Sequence, residues 1–255
     1  MTVRSTAPLG APTWADLATR DQAAALTFYS ALFGWTAETP NPELGNYANL
    51  LRDGQRIVGT MPVMSPDTPV AWTVHFASED AEKTTTLVTE NGGVLHAPAI
   101  DVMDLGRLAV AADPGGAAFG IWQAGTHLGF PVLDEPGAPT WFELQSRDYD
   151  AVLDFYRTVL GWQTQVVSDA APDVRYSAVV IDGQQVAGVM DGDGFLPEGV
   201  PSSWQVYFST INIEASVAKA VELGATMPDP IDDTPYGRLA VLTDPTGAKF
   251  KLRQP

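Results

Sequence analysis

The 255-residue sequence predicts an α+β protein made of tandem βαβββ units grouped into two similar domains. Three observations carry this reading: a long internal repeat, alternating apolar stretches that each run into a capped helix, and short strand pairs joined through Asp-Gly. The repeat is the strongest of them. Residues 10–35 align without gaps with residues 137–162, and 14 of the 26 positions are identical. The match continues at nearly constant offset. DGQRIVGTM (53–61) pairs with DGQQVAGVM (182–190), and Trp72-x-Val74-x-Phe76 with Trp204-x-Val206-x-Phe208. GRLAVAADPGGAAFGIWQ (106–123) then pairs with GRLAVLTDPTGAKFKLRQ (237–254). Residues 127–136 contain Gly129, Pro131 and Pro136 and read as a linker. They separate a first domain, 10–126, from a second, 137–255, with residues 1–9 as an N-terminal tail.

Each domain opens on an alternating stretch, WADLA or WFELQ, the pattern of a half-buried strand. Asp21 and Asp148 follow at the position of a helix N-cap. Behind them come apolar residues at helical spacing: Ala25, Phe28, Tyr29, Leu32 and Phe33, and Val152, Phe155, Tyr156, Val159 and Leu160. Gly34 and Gly161 close those helices. Short strands over 46–51 and 55–61, and over 176–181 and 184–190, meet at Asp-Gly turns and complete one unit. The second unit starts at Trp72 or Trp204, has its helix near 79–90 or 214–222, and ends on strands matching 106–111 and 119–123 of the first domain.

Composition removes several function classes. The chain has no cysteine, which excludes disulfides, thiolate metal sites and thiol catalysis. The 31 acidic against 14 basic residues give a net charge of -17, which repels nucleic acid and anionic lipid surfaces; the acidic residues are scattered and read as solubilising. Met1 to Gly10 holds no apolar run, so neither a secretory signal nor a membrane anchor is expected there. The expectation is a cytoplasmic protein, monomeric or homodimeric, whose partner is a small molecule. The DPGG and DPTG segments read as tight turns and lack the strand-to-helix context of a phosphate loop.

The arrangement RD-x6-FY-x4-GW, followed by the late GR-LAV-x2-DP-x-G turn, resembles the glyoxalase/bleomycin resistance/dioxygenase (vicinal oxygen chelate) superfamily over nearly all of both halves. The resemblance implies that each half curls its mixed sheet into a cup that holds the ligand. It also implies where a metal would be bound in metal-dependent members: a His, Gln or Glu on the first strand, a His on the strand after the first unit, and a Glu on the final strand. Carried over, these positions fall on Trp14 and Trp141, on or next to Thr73 and Gln205, and on Gly120 and Lys251. An indole nitrogen is a donor only, and glycine offers nothing to a metal. The expectation is therefore no metal and no cofactor.

If Leu17, Val74, Phe76, Leu144, Val206 and Phe208 face the helices, alternation turns their neighbours into the cups. In the first half these are Trp14, Asp16, Thr73, His75, Gly120 and Trp122; in the second, Trp141, Glu143, Gln145, Gln205, Tyr207, Lys251 and Arg253. Aromatic walls with a few polar groups suit a small-molecule pocket. Asp16 and Glu143 are candidate bases, and His75 and Tyr207 candidate acids. Trp14, Thr73, Trp122, Trp141, Gln145, Gln205 and Lys251 are candidate ligand contacts. Structural readings stand beside these: the tryptophans as core anchors, the carboxylates paired with Lys or Arg, His75 as a satisfied polar residue, and Arg253 as solvated. Gly106-Arg107 and Gly237-Arg238 read as turns with an Arg clamp. The functional expectation is a metal-independent protein that binds or sequesters a planar, aromatic organic molecule. A metal-free acid/base enzyme of the same fold, a lyase, isomerase or hydroxylase-like tailoring enzyme, is the alternative. A glyoxalase-like metalloenzyme with unrecognised ligands is the third.

Overall fold

The alternation at the start of each repeat becomes the central strand of a sheet. The structure, a computed structural model, describes residues 6–168 and 175–255. The first unit consists of β1 (Pro12–Thr19), α1 (Gln22–Phe33), β2 (Thr36–Ala37), β3 (Ala48–Arg52) and β4 (Gln55–Pro62). The next comprises β5 (Ala71–Ala77), α2 (Ala81–Glu90), β6 (Val94–Val102), β7 (Gly106–Ala112) and β8 (Ala118–Ala124). The second half repeats the pattern with β9 (Pro139–Ser146), α3 (Tyr149–Leu160), β10 (Gln163–Ser168), β11 (Tyr176–Ile181) and β12 (Gln184–Asp191). It ends with β13 (Ser203–Ser209), α4 (Ile213–Glu222), β14 (Asp232–Thr234), β15 (Gly237–Thr243) and β16 (Lys249–Gln254).

Each half forms one curled, mixed, eight-stranded sheet, in the orders β2-β3-β4-β1-β5-β8-β7-β6 and β10-β11-β12-β9-β13-β16-β15-β14. The opening strands of the two units pair antiparallel at the centre, and each is flanked by the closing strand of its own unit in parallel. Both units of a sheet come from the same half, so the halves do not exchange units. Asp21 accepts a bond from the Ala24 N–H and caps α1, whereas Asp148 makes no side-chain cap bond. There Tyr149 anchors the helix start through its hydroxyl, 2.6 Å from Ser177 Oγ. Both helices end on a left-handed glycine, Gly34 and Gly161. Strand β6 has no counterpart in the sequence reading. Its register shifts twice, and its place at the sheet edge is where a strand tolerates a proline such as Pro98.

The helix-bearing faces of the two sheets meet in one continuous core, in which Phe76 packs on Tyr156 and Trp204 while Tyr29 packs on Phe208. Hydrogen bonds cross this junction in symmetric pairs. Tyr29 of α1 donates to Asp244 at 2.9 Å, and Tyr156 of α3 donates to Asp113 at 3.2 Å. Trp72 and Trp204 donate in turn to those tyrosine oxygens. Trp35 donates to the carbonyl of Gly137, and Trp162 to that of Gly10. The aspartates belong to the DP-x-G turns, which thus do more than reverse the chain. Arg107 and Arg238 clamp their own domains to the second helices through Glu82 and Glu214. Among the described residues no helix is long and apolar enough to cross a membrane.

Burial pushes the Asp113 carboxyl up to about 6, against the backbone N–H groups and the Tyr156 hydroxyl that favour its ionised form. A folded-state value above that of the unfolded chain means that the folded protein holds the proton more tightly. The stability this confers is present below about pH 4 and is lost as pH rises through about 6. Asp113→Asn cannot ionise and lacks this slope. Between pH 4 and pH 7, urea unfolding of wild type and variant should show the stability difference moving against the wild type by up to about 3 kcal/mol. A difference that is flat with pH would mean that folding leaves the Asp113 carboxyl unshifted.

Candidate functional site

The register of the central strands sets the candidate residues in rows on the face of each sheet turned away from the core. In the first sheet Trp14, His75 and Gly120 lie level across β1, β5 and β8, and Gly59, Asp16 and Thr73 form the adjacent row. In the second, Trp141, Tyr207 and Lys251 lie level, next to the row of Gly188, Glu143 and Gln205. The residues level with Trp14 and Gly120, and with Trp141 and Lys251, are therefore His75 and Tyr207. Thr73 and Gln205, the positions expected from the sequence, stand one row away.

Contacts within the rows differ between the halves. In the first, His75 Nε2 is 2.9 Å from Asp16 Oδ2, and both side chains are buried. His75 Nδ1 is buried with no hydrogen-bond partner and lies against Gly120, where a Cβ would come within 1.9 Å of it. In the second half Lys251 replaces that glycine and Tyr207 replaces the histidine. The Lys251 ammonium is 2.8 Å from Glu143 Oε1 and 2.7 Å from the Tyr207 hydroxyl, so its charge is held by internal partners. Gln145 reaches Glu143 at 3.3 Å, and Gln205 bonds Ser203.

Two tyrosines that the sequence reading did not single out complete the floors. Tyr47 lies over Gly59 and Tyr176 over Gly188, and a Cβ on either glycine would fall within 2 Å of the phenol oxygen. Each phenol accepts the indole N–H of its tryptophan, Trp14 or Trp141, at 2.8 Å. Burial, reinforced by the Asp16 charge for Tyr47 and the Glu143 charge for Tyr176, raises both phenols. Burial and the Glu143 charge likewise raise Tyr207. All three stay protonated through the physiological range. The signal for the tyrosines was present in the repeat: a glycine recurs in the middle of a strand, and a tyrosine recurs at the same offset.

The linker closes the first cup. The His127 ring meets Trp14 edge-on at 4.4 Å and lies 5.5 Å from Trp122, whose indole donates to the His127 carbonyl. Phe130 packs 5.5 Å from Trp14, and its N–H donates to the Thr13 carbonyl. Gly129 has a φ of +98° and lies so close to Thr13 that a Cβ would be 2.1 Å from its hydroxyl oxygen; only glycine lets the strap settle there. Trp14 is left 4% exposed. Burial, followed by the Arg56 and His75 charges, pulls the His127 imidazole down to about 4, so the strap is neutral at pH 7. In the second half Trp141 is only half-buried, and it borders a cleft of about 400 Å³ that Arg253 also lines.

These residues do not fit a catalytic metal centre. Of the six side-chain positions in the two level rows, only His75 offers a free lone pair, because Tyr207 is a protonated phenol engaged with Lys251. Among the described residues no group of three or more His, Asp or Glu side chains converges as ligands would.

Comparison with known proteins adds relatives along the whole chain. The model of the glyoxalase/bleomycin resistance protein/dioxygenase superfamily matches residues 12–121, and that of the glyoxalase-like domain matches residues 141–253. CFP32 of Mycobacterium tuberculosis, whose name gives glyoxylase as a provisional assignment, is 36% identical over 100% of this chain and 98% of its own. The anthracycline biosynthesis protein DnrV of Streptomyces peucetius is 36% identical over 95% of this chain and 92% of its own. Among solved structures, the 2,3-dioxygenase LapB from Pseudomonas sp. KL28 aligns with a TM-score of 0.66 at 14% identity, covering 98% of this chain and 94% of that one. The Mn(II)-bound glyoxalase from Novosphingobium aromaticivorans aligns at 0.65 and 13%, covering 97% and 82%. At such identities the structural likeness speaks for fold alone.

The fit of His75 against Gly120 predicts a coupled pair. Gly120→Ala should destabilise the protein by about 1–3 kcal/mol through overpacking, and most of that cost should vanish in a His75→Ala background. A double-mutant cycle by urea denaturation measures it. Equal costs in both backgrounds would place the clash in the backbone instead.

Proposed function

Because this chain belongs to the glyoxalase/bleomycin resistance protein/dioxygenase superfamily, as a member with two tandem domains, we propose that it binds a small, planar, aromatic organic molecule without the help of a metal. The observation that carries this reading is the content of the level rows. Trp-His-Gly and Trp-Tyr-Lys offer one metal donor between them, together with aromatic surfaces and buried hydrogen-bonding groups. Aromatic walls with a few fixed polar groups bind flat organic molecules by burying their faces and orienting their edges. The cleft beside Trp141, about 400 Å³, lies in the size range of ligand pockets. A relative of full-length similarity named for anthracycline biosynthesis points toward the same chemistry, since anthracyclines are fused aromatic systems.

A metal-free acid/base enzyme is the second reading, and the Asp16–His75 pair favours it. A carboxylate 2.9 Å from an imidazole nitrogen, with the other ring nitrogen unpaired, can hold and pass a proton. The strap lies over this pair, so turnover there would require residues 127–130 to lift. In the second half Lys251 bridges Glu143 and Tyr207, so the acid and the phenol are both engaged by the same ammonium.

Purified protein, unexposed to chelators, should contain less than stoichiometric Fe, Mn, Ni or Zn by mass spectrometry. In a thermal-shift screen it should be stabilised by planar aromatic compounds with or without EDTA, since a ligand specific to the folded state raises the melting temperature. Stoichiometric metal, or stabilisation that disappears with EDTA, would overturn the metal-free reading. No stabilisation by any aromatic compound would overturn the binding reading.

A further inference from the structure

The two cups offer the same space twice, and the first shows what fits there. In that cup the imidazole of His127 and the ring of Phe130 occupy the volume beside Trp14 and Trp122, so flat rings are already packed against those indoles. The repeat maps Trp14 onto Trp141 and Trp122 onto Arg253, because Gly120 and Lys251 are equivalent and each stands two residues earlier. The corresponding volume beside the second sheet is the cleft of about 400 Å³, lined by Trp141, Gln184 and Arg253 of the second domain, by Asp134 of the linker and by Ala11 and Pro12 of the first domain. Where the first cup has a second indole, the second therefore has a guanidinium.

That guanidinium has donors to spare. Arg253 is half-buried, its Nε donates to the Tyr236 carbonyl, and among the described residues no carboxylate lies within salt-bridge distance of it. The other arginines around the second cup are engaged by acids: Arg175 by Asp150 and Asp191, and Arg238 by Glu214 and Asp233. In a chain with 31 acidic residues, an arginine left without one is a local reversal of the prevailing field. Asp134, on the opposite lining, is turned to the Thr140 hydroxyl at 2.8 Å. The Arg253 charge also acts on the phenols of Tyr176 and Tyr207, opposing the burial that raises them.

We propose that the ligand site of this protein is the cleft beside Trp141 and Arg253, walled by the second domain, the linker and the start of β1, and that it takes a planar aromatic acid, with the ring against Trp141 and the carboxylate or equivalent oxyanion on Arg253. The proposal rests on the small-molecule reading above and adds the cup, the contacts and the charge of the ligand. A guanidinium presents paired N–H groups that match a carboxylate, and an indole face supplies the apolar contact for the ring. The first cup is closed by the linker and serves as structure.

The test compares 2-naphthoate with the neutral 2-naphthamide by isothermal titration calorimetry on the full chain. The acid should bind at least tenfold more tightly than the amide. Arg253→Gln should abolish that preference while leaving the amide's affinity within about twofold, and Trp141→Ala should weaken both probes by tenfold or more. Equal affinity for acid and amide in the wild type would overturn the proposal without recourse to any variant. So would an Arg253→Gln protein, folded by circular dichroism, that keeps the preference. If naphthoate fails while other aromatic compounds still raise the melting temperature, the charge and site assigned here fall and the general binding reading survives. If no organic compound binds, both fall.

Discussion

The architecture depends on the pairs of hydrogen bonds that cross between the domains. Each of Tyr29 and Tyr156 carries two jobs on one oxygen, accepting an indole N–H from its own domain and donating to an aspartate of the other. Buried hydroxyls and carboxylates without partners cost about 1–3 kcal/mol each, so the four groups hold one another in place. Because these contacts fasten the helix-bearing faces together, the opposite faces of both sheets turn outward. The cups exist as two separate places because the core between them is shared.

The aromatic residues of the shared core recur in both halves, as Phe28/Phe155, Tyr29/Tyr156, Trp35/Trp162 and Phe76/Phe208 do, whereas aliphatic core positions such as Ala15/Phe142 and Ala111/Leu242 diverge, and divergence extends to the outward faces. It is correlated there. Histidine against glycine in one half becomes tyrosine against lysine in the other, so both positions change together from one fitted pair to another. Asp16 and Glu143, in equivalent places, keep an acid but change its reach. The shorter acid meets an imidazole, and the longer one meets an ammonium that approaches from two strands away.

Much of this was legible in the sequence, and the limits are physical. Repetition and alternation located the units and the face on which Trp14, Asp16, His75, Glu143 and Lys251 lie, because strand period alone decides which side a residue takes. Register was not legible. Whether Thr73 or His75 stands level with Trp14 depends on antiparallel pairing between residues about sixty apart in sequence, and nothing local fixes it. Partnership was not legible either. Lys251 looked available to a ligand until three strands brought Glu143 and Tyr207 to it. The strap was hidden for a different reason: a segment rich in Gly and Pro reads as a connector whatever it touches, and His127 and Phe130 carry no pattern that marks them as lining.

The settling of residues 127–130 on Trp14 has a consequence for the chain as a duplicated molecule. A loose tether would leave the domains interchangeable, each with its own accessible cup. Here the tether is also a stopper: His127 and Phe130 settle on the cup of the domain that precedes it, while Leu133 and Asp134 only border the cleft beside the domain that follows. One short segment therefore treats the two halves of the repeat differently, so they differ in cover as well as in content.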